Sequence, residues 1–374
     1  MIPSRFSGRP ISLTGYPTSY PLRKYNQAIG ELNKRLDASR RGRELALIGS
    51  LIFAVVEVYQ GRDDMAQMHL RGALSILESP GRSSNTGESH FSPDLYRLFD
   101  CLSHHRVNLR SFSSVIHDTP IPIQTMQFVS EFKTISEALN SLNSISGVIY
   151  SLYRRWMPDS GESSQCHPTT SLAGDISRLS RQLNLWYTHF AALRARGTAD
   201  VETTTCSQIL LIHYQIATLC LSSESESGIC TRQFSSIIDL SADILRAEER
   251  SRAVTTKPKP GHSVGVNVTQ PLFYTACKCK DGEIRRRAIE LLDTVDGTSL
   301  YDTQLLARVA RWVVAMEEEK VGFERGHPTG IVKEEDMLHD IELDVDNEAG
   351  KCNIIAWRRD NGRWLRVSGY VDAG

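Results

Sequence analysis

The spacing of apolar residues along this chain predicts a mainly helical protein. From Leu45 to Tyr59 almost every position is apolar, Ser50 and Glu57 aside, which predicts a core helix buried on all sides. Gln60-Gly61 supplies a stop, Asp63 and Asp64 can cap the next helix, and Ala66, Leu70, Ala73, Leu74 and Leu77 then fall on one helical face. A Ser/Gly/Pro loop over 78–92 leads into a helix that starts at Ser92-Pro93 and carries Leu95, Leu98, Phe99 and Leu102. After Pro120 and Pro122 comes a long stripe of Phe128, Phe132, Ile135, Leu139, Leu142, Ile149, Leu152 and Trp156, ended by Pro158. The clearest helical signal comes after the loop at 158–170. Leu172, Ile176, Leu179, Leu183, Trp186, Phe190 and Leu193 alternate steps of four and three.

Further helices are predicted over Ser207–Leu221, Phe234–Ala247, Pro271–Lys280, Glu283–Thr294 and Asp302–Lys320. The pattern then changes period. Leu343 and Val345 alternate with Asp344 and Asp346, and two strand-like runs, Ile354–Arg358 and Trp364–Val371, flank the tight-turn triplet Asp360-Asn361-Gly362. These segments describe a mainly α fold, a multi-helix array of stacked antiparallel helices with a small C-terminal antiparallel β-sheet. The expected organisation is a flexible N-terminal segment over 1–22 and a helical domain over 23–325 with a flexible linker at about 251–269. An acidic segment and sheet tail over 326–374 are expected to pack on the helices.

Charge adds little direction. Forty-three basic residues against 44 acidic ones leave a net charge of −1, so no global field draws the chain to nucleic acid or anionic lipid. The apolar run at 45–59 is shorter than the roughly 20 residues that span a bilayer, and residues 1–20 lack the apolar core of a secretory signal. The eight cysteines have no repeated spacing. Cys101, Cys206 and Cys220 sit inside helical runs, as free thiols do in a reducing compartment, the cytosol or the nucleus.

Candidate chemistry is sparse. No Gly-Lys-Ser/Thr phosphate loop, Gly-x-Ser-x-Gly elbow or His-Glu-x-x-His pair occurs, and Gly261–Gly265 lacks the glycine spacing of a dinucleotide loop. Cys277 and Cys279 are separated by one residue, unlike common zinc knuckles, and read as parts of a packed helix. His69, His189 and His213 lie among apolar neighbours, and the adjacent His104 and His105 must face different ways on their helix. Glu317, Glu318 and Glu319 read as a solvated helix end, and the acidic stretch from Glu334 to Asp346 reads likewise, or as a face for a basic partner. Arg285, Arg286 and Arg287 span about 200° of their helix, so they predict a solvated, ion-paired face rather than one phosphate patch. No catalytic, cofactor-binding or metal-ligating residue and no cofactor is expected, and the chain is read as a non-enzyme.

Two stretches carry a resemblance. LIFAVVEVYQGRDDMAQMHLRGALSIL, with Ala66, His69, Leu70 and Gly72, resembles the start of the regulatory region of fungal zinc-cluster (Zn2Cys6) transcription factors. QPLFYTACKCKDGEIRRRAIELL is similar to the segment of that family in which an apolar helix leads through a cysteine and a basic residue into an arginine-rich helix. The WVVAMEEEK helix and the tail around Asn361-Gly362-Arg363-Trp364 are similar too. The family's DNA reader is an N-terminal cluster of six cysteines holding two zinc ions, and no cysteine precedes Cys101 here. The resemblance therefore implies a regulatory domain without its own DNA-binding cluster. It implies a nuclear location and action through protein or effector binding, the protein partners being those of the transcription machinery or a DNA-binding regulator and the effector a small molecule. Direct nucleic-acid binding and membrane contact are not expected. The target genes it implies belong to nutrient use or a secondary-metabolite cluster. The competing expectation is a cluster-encoded enzyme or small-molecule binder, with a cavity lined by Trp186, Tyr187, His189 and Phe190 or by Tyr274 and Cys277.

Overall fold

Helix α1 (Arg40–Tyr59) turns one face inward, because Leu47, Leu51, Ala54 and Glu57 recur at helical spacing and are buried. The computed structural model describes 40–59, 131–156, 170–197, 201–222, 227–254, 268–295, 302–319, 331–346, 349–360 and 362–373, with short stretches between 24 and 34 and between 65 and 76. The expectation of all-round burial for 45–59 is corrected. Ile48 and Ile52, one turn apart, are 38% and 53% exposed. Apolar residues on every side of a helix permit full burial, but only neighbouring helices can supply it. Leu70 and Ala73 of the next helical stretch are buried as predicted, while Met65 and Met68 are exposed. The loop over 78–92, the helix at Pro93 with His104 and His105, the lead-in over 1–22 and the linker residues 255–267 lie outside the described residues.

Helices α2 (Ile135–Trp156), α3 (Thr170–Arg196), α4 (Val201–Leu221) and α5 (Ser227–Val254) come next. Helices α4 and α5 begin earlier, and α5 ends later, than apolar spacing alone predicts, since polar first and last turns carry no apolar signal. Two apolar clusters organise the packing. The first joins Phe132, Leu142 and Ile149 to Leu179, Leu183, Trp186 and Phe190 of α3. The second joins α5 to the C-terminal helices and the sheet. Helix α4 belongs to both, giving Leu210 and Ala217 to the first and Ile212, Ile216 and Leu219 to the second. Its run Ile-Leu-Leu-Ile-His-Tyr-Gln-Ile-Ala is apolar on opposite sides, as a helix placed between two cores must be.

Helix α6 (Thr269–Lys278) ends at Cys279, and α7 (Gly282–Thr294) starts two residues beyond Lys280 because Asp281 caps it, accepting from the amides of Glu283 and Ile284 at 2.9 and 3.1 Å. Asp302 caps α8 (Thr303–Glu318) in the same way through the Leu305 amide. A 3₁₀ turn (Glu334–Asp336) then leads into strands β1 (Leu338–Asp346), β2 (Lys351–Asp360) and β3 (Arg363–Asp372), an antiparallel sheet in the order β1-β2-β3. Asp360 pairs with Arg363 across the predicted turn, where Gly362 holds a φ of +81° that only glycine takes at low cost.

The face of the sheet carrying Cys352, Ile354, Ala356, Val367, Gly369 and Val371 lies toward α8, as these positions are opposite one another in register and Gly369 sits on Trp312. A Cβ at Gly369 would come within 2.5 Å of the Trp312 indole nitrogen. Gly369→Ala should therefore lower stability by about 1–3 kcal/mol through overpacking, read as a fall in thermal midpoint, and adding Trp312→Phe should recover part of the loss.

Candidate functional site

The arginine triplet of α7 is where most of the charged side chains inside this structure meet. Successive helical residues turn by about 100°, so the three guanidinium groups reach different partners. Arg285 is fully buried: its Nε donates to the Ala276 carbonyl of α6 at 2.8 Å, and its Nη2 donates to Glu317 of α8. The second carboxylate oxygen of Glu317 accepts the amide of Leu338, the first residue of β1. One ion pair thus ties three helices to the sheet. Arg286 pairs with Glu318 and donates to the Gly282 carbonyl at 2.8 Å, while Arg287 reaches Asp239 of α5 at 3.1 Å on the surface.

The lysines of the same motif fasten the other side. Lys278 Nζ donates to the Leu338 carbonyl at 3.0 Å, and Lys280 pairs with Glu334 at 2.8 Å while its carbonyl accepts the Val332 amide at 2.9 Å. The ion-paired reading of the triplet holds, but its solvated reading is corrected for Arg285, which has no exposed surface. The same correction applies to the glutamates. Glu317 is fully buried and Glu318 is 8% exposed, because each faces an arginine, and Glu319 alone of the three stays exposed. Glu334 also pairs, with Lys280, but stays 40% exposed.

Burial pushes the Glu317 carboxyl above the usual carboxylate range, against the pull of Arg285 and the Leu338 amide. His339, next along β1, packs edge-on against Trp364 with ring centres 5.4 Å apart. Burial pushes its pKa down to about 4, and the positive charges of Lys278 and Arg359 add to the effect against Glu334.

Cys277 and Cys279 are buried, and burial pushes both thiols up to about 12, so they are neutral apolar side chains at physiological pH. Cys220 is pushed to about 11 and approaches the Tyr274 hydroxyl at 3.5 Å. Among the described residues, no group of three or more His, Cys, Asp and Glu side chains is placed to hold a metal ion.

The aromatic residues named as cavity lining pack on one another. Trp186 stacks on Phe190 and Tyr214 with centres 4.7 and 5.6 Å apart, and its indole nitrogen donates to the Ala138 carbonyl at 2.8 Å. His189 lies edge-on to Phe132, His69 contacts Phe53, and Tyr187 stacks on Tyr214 at the surface.

A family model described as the fungal specific transcription factor domain matches residues 19–317. The match ends at Glu317, so the sheet that this glutamate holds lies beyond it. No curated protein and no solved structure matches the chain.

Removing one member of the buried pair strands the other. Arg285→Ala should destabilise the protein by about 3–5 kcal/mol, whereas the double change Arg285→Met/Glu317→Leu should recover most of that. Arg287→Ala, which breaks an exposed pair, should cost under about 1 kcal/mol; urea midpoints of the three variants check the ordering. A histidine with a folded pKa below its unfolded value binds fewer protons when folded, so stability is gained as pH rises. Between pH 4 and 6.5 this histidine contributes a rise in urea midpoint with increasing pH, so the difference between wild type and His339→Gln should grow in favour of wild type across that window.

Proposed function

The chain belongs to the fungal specific transcription factor domain family, and on that premise we propose that it regulates transcription through protein or effector contacts rather than by gripping DNA itself. The observation that carries this reading is the extent of the match, residues 19–317, which takes in helices α1 to α8 up to their ion-paired node. The condition of its basic residues agrees. The best basic cluster, Arg285 to Arg287, is engaged with Glu317, Glu318 and Asp239, which leaves it poorly suited to bind phosphate. Nucleic-acid recognition is then supplied by a partner or by a segment outside this sequence.

The proposed place of action is the nucleus, and the proposed partners are proteins of the transcription machinery or a DNA-binding regulator. The genes it governs are those of nutrient use or of a secondary-metabolite cluster. Its activity is non-enzymatic and uses no cofactor. None of the described helices is long and apolar enough to cross a membrane.

Comparing transcripts of a deletion strain with its parent, alongside localisation of the tagged protein, tests this directly. A coherent set of genes should change and the protein should be nuclear. Unchanged transcripts with a cytosolic protein would remove the regulatory reading.

A further inference from the structure

The sheet has two edges, and their chemistry differs. On β1 the register breaks between His339 and Glu342, Asp340 sits at a φ of 49°, and Asp340, Glu342, Asp344 and Asp346 load the strand with negative charge. A bulge and clustered like charges are the devices by which proteins blunt an edge. Strand β3 has neither. Its ten residues pair with β2 without interruption and include no proline and no lysine.

Hydrogen-bond alternation shows which backbone groups of β3 are open. The Ala373 amide donates to the Gly350 carbonyl at 2.8 Å, continuing the β2 ladder. In an antiparallel pair such bonds fall on every second residue. The amides of Arg363, Leu365, Val367, Gly369 and Val371 therefore turn toward β2, and those of Trp364, Arg366, Ser368 and Tyr370 turn outward. Among the described residues, no strand pairs with that outer side.

Side chains along the edge sort by face. On the α8 side lie Leu365, which is 44% exposed, Val367 and the Gly369 backbone on Trp312. The opposite face presents Arg366 and Tyr370, the latter 61% exposed, with Arg359 of β2 opposite Trp364 nearby. Around Leu365–Val367 the edge thus has apolar side chains on the α8 side and the Arg366 guanidinium on the other.

We propose that the outer edge of β3 docks an extended segment of a protein partner in which acidic and apolar residues alternate, added to the sheet as a fourth strand. Apolar residues of that segment pack toward Leu365, Val367 and Trp312, and its carboxylates meet Arg366 on the other face. The sheet already contains one such pairing. Strand β1 reads Asp-Ile-Glu-Leu-Asp-Val-Asp over 340–346, with Leu343 opposite Ile354 on the helix side, Val345 in register with Cys352, and Asp346 opposite Lys351 on the other face. The site lies beyond the family-matched 19–317 and stands on the sheet geometry, whatever becomes of the regulatory reading.

The probe is a fluorescein-labelled peptide with the sequence of residues 338–346, titrated with the full chain and followed by anisotropy. Saturable binding is expected, weakened about tenfold or more in Arg366→Glu. It should be lost in Ser368→Pro, which deletes one outward amide and leaves the β2 ladder intact. Peptides N-methylated on alternate residues give a readout that needs no change in the protein: one set should abolish binding and the other leave it. No binding, equal binding of a peptide with lysine in place of its acids, or indifference to which set is methylated overturns the proposal. So does a dimer of the chain that Ser368→Pro dissociates, since the edge would then serve a second copy.

Discussion

A guanidinium and a carboxylate taken wholly out of water must satisfy each other, and the C-terminal half of this protein is arranged around that requirement. Arg285 and Glu317 have no exposed surface, and the desolvation cost of two such ions is offset only when their remaining donors and acceptors are filled. The Ala276 carbonyl and the Leu338 amide do most of that filling, although Arg285 Nη1 has no acceptor among the described residues. The pair therefore specifies arrangement more than it adds stability. Helices α6, α7 and α8 and the start of β1 must each be in place for it to be tolerated, and an alternative packing would leave a buried charge alone.

The same requirement gives the CKCKD-x₃-RRR stretch a physical meaning. Its cysteines are neutral packing residues, Lys278 and Lys280 hold the chain leading into the sheet, Asp281 caps α7, and the arginines reach α8 and α5. A run that looks like a metal or phosphate motif is a set of fasteners. The charges of this arginine-rich helix are committed to holding its neighbours in place.

Much of this was legible in the sequence. The 3.6-residue period placed α3 and α6 to α8 within a few residues, and alternation with Asp360-Asn361-Gly362 gave the sheet. Burial of charge was not legible from local pattern, because three glutamates at a helix end look solvated until their partners are known. A signal was nevertheless present: antiparallel neighbours pair positions of nearly constant sum, and opposite charges stand at such positions at both ends of α7, Arg285 with Glu317 and Asp293 with Arg311. The exposed side of α1 was hidden for the opposite reason, since an apolar sequence states what a helix can bury and its neighbours decide what it does bury.

An ion pair placed in this way should make the sheet and the three helices before it one cooperative unit. Native-state hydrogen exchange at the Leu338 amide, compared with the amides of α7 and β2, tests it most directly. All three should exchange with the same opening free energy, close to that of global unfolding. Exchange of Leu338 and β2 at a markedly lower free energy than α7 would contradict it, because the sheet would then open while the helices and their arginine stay folded.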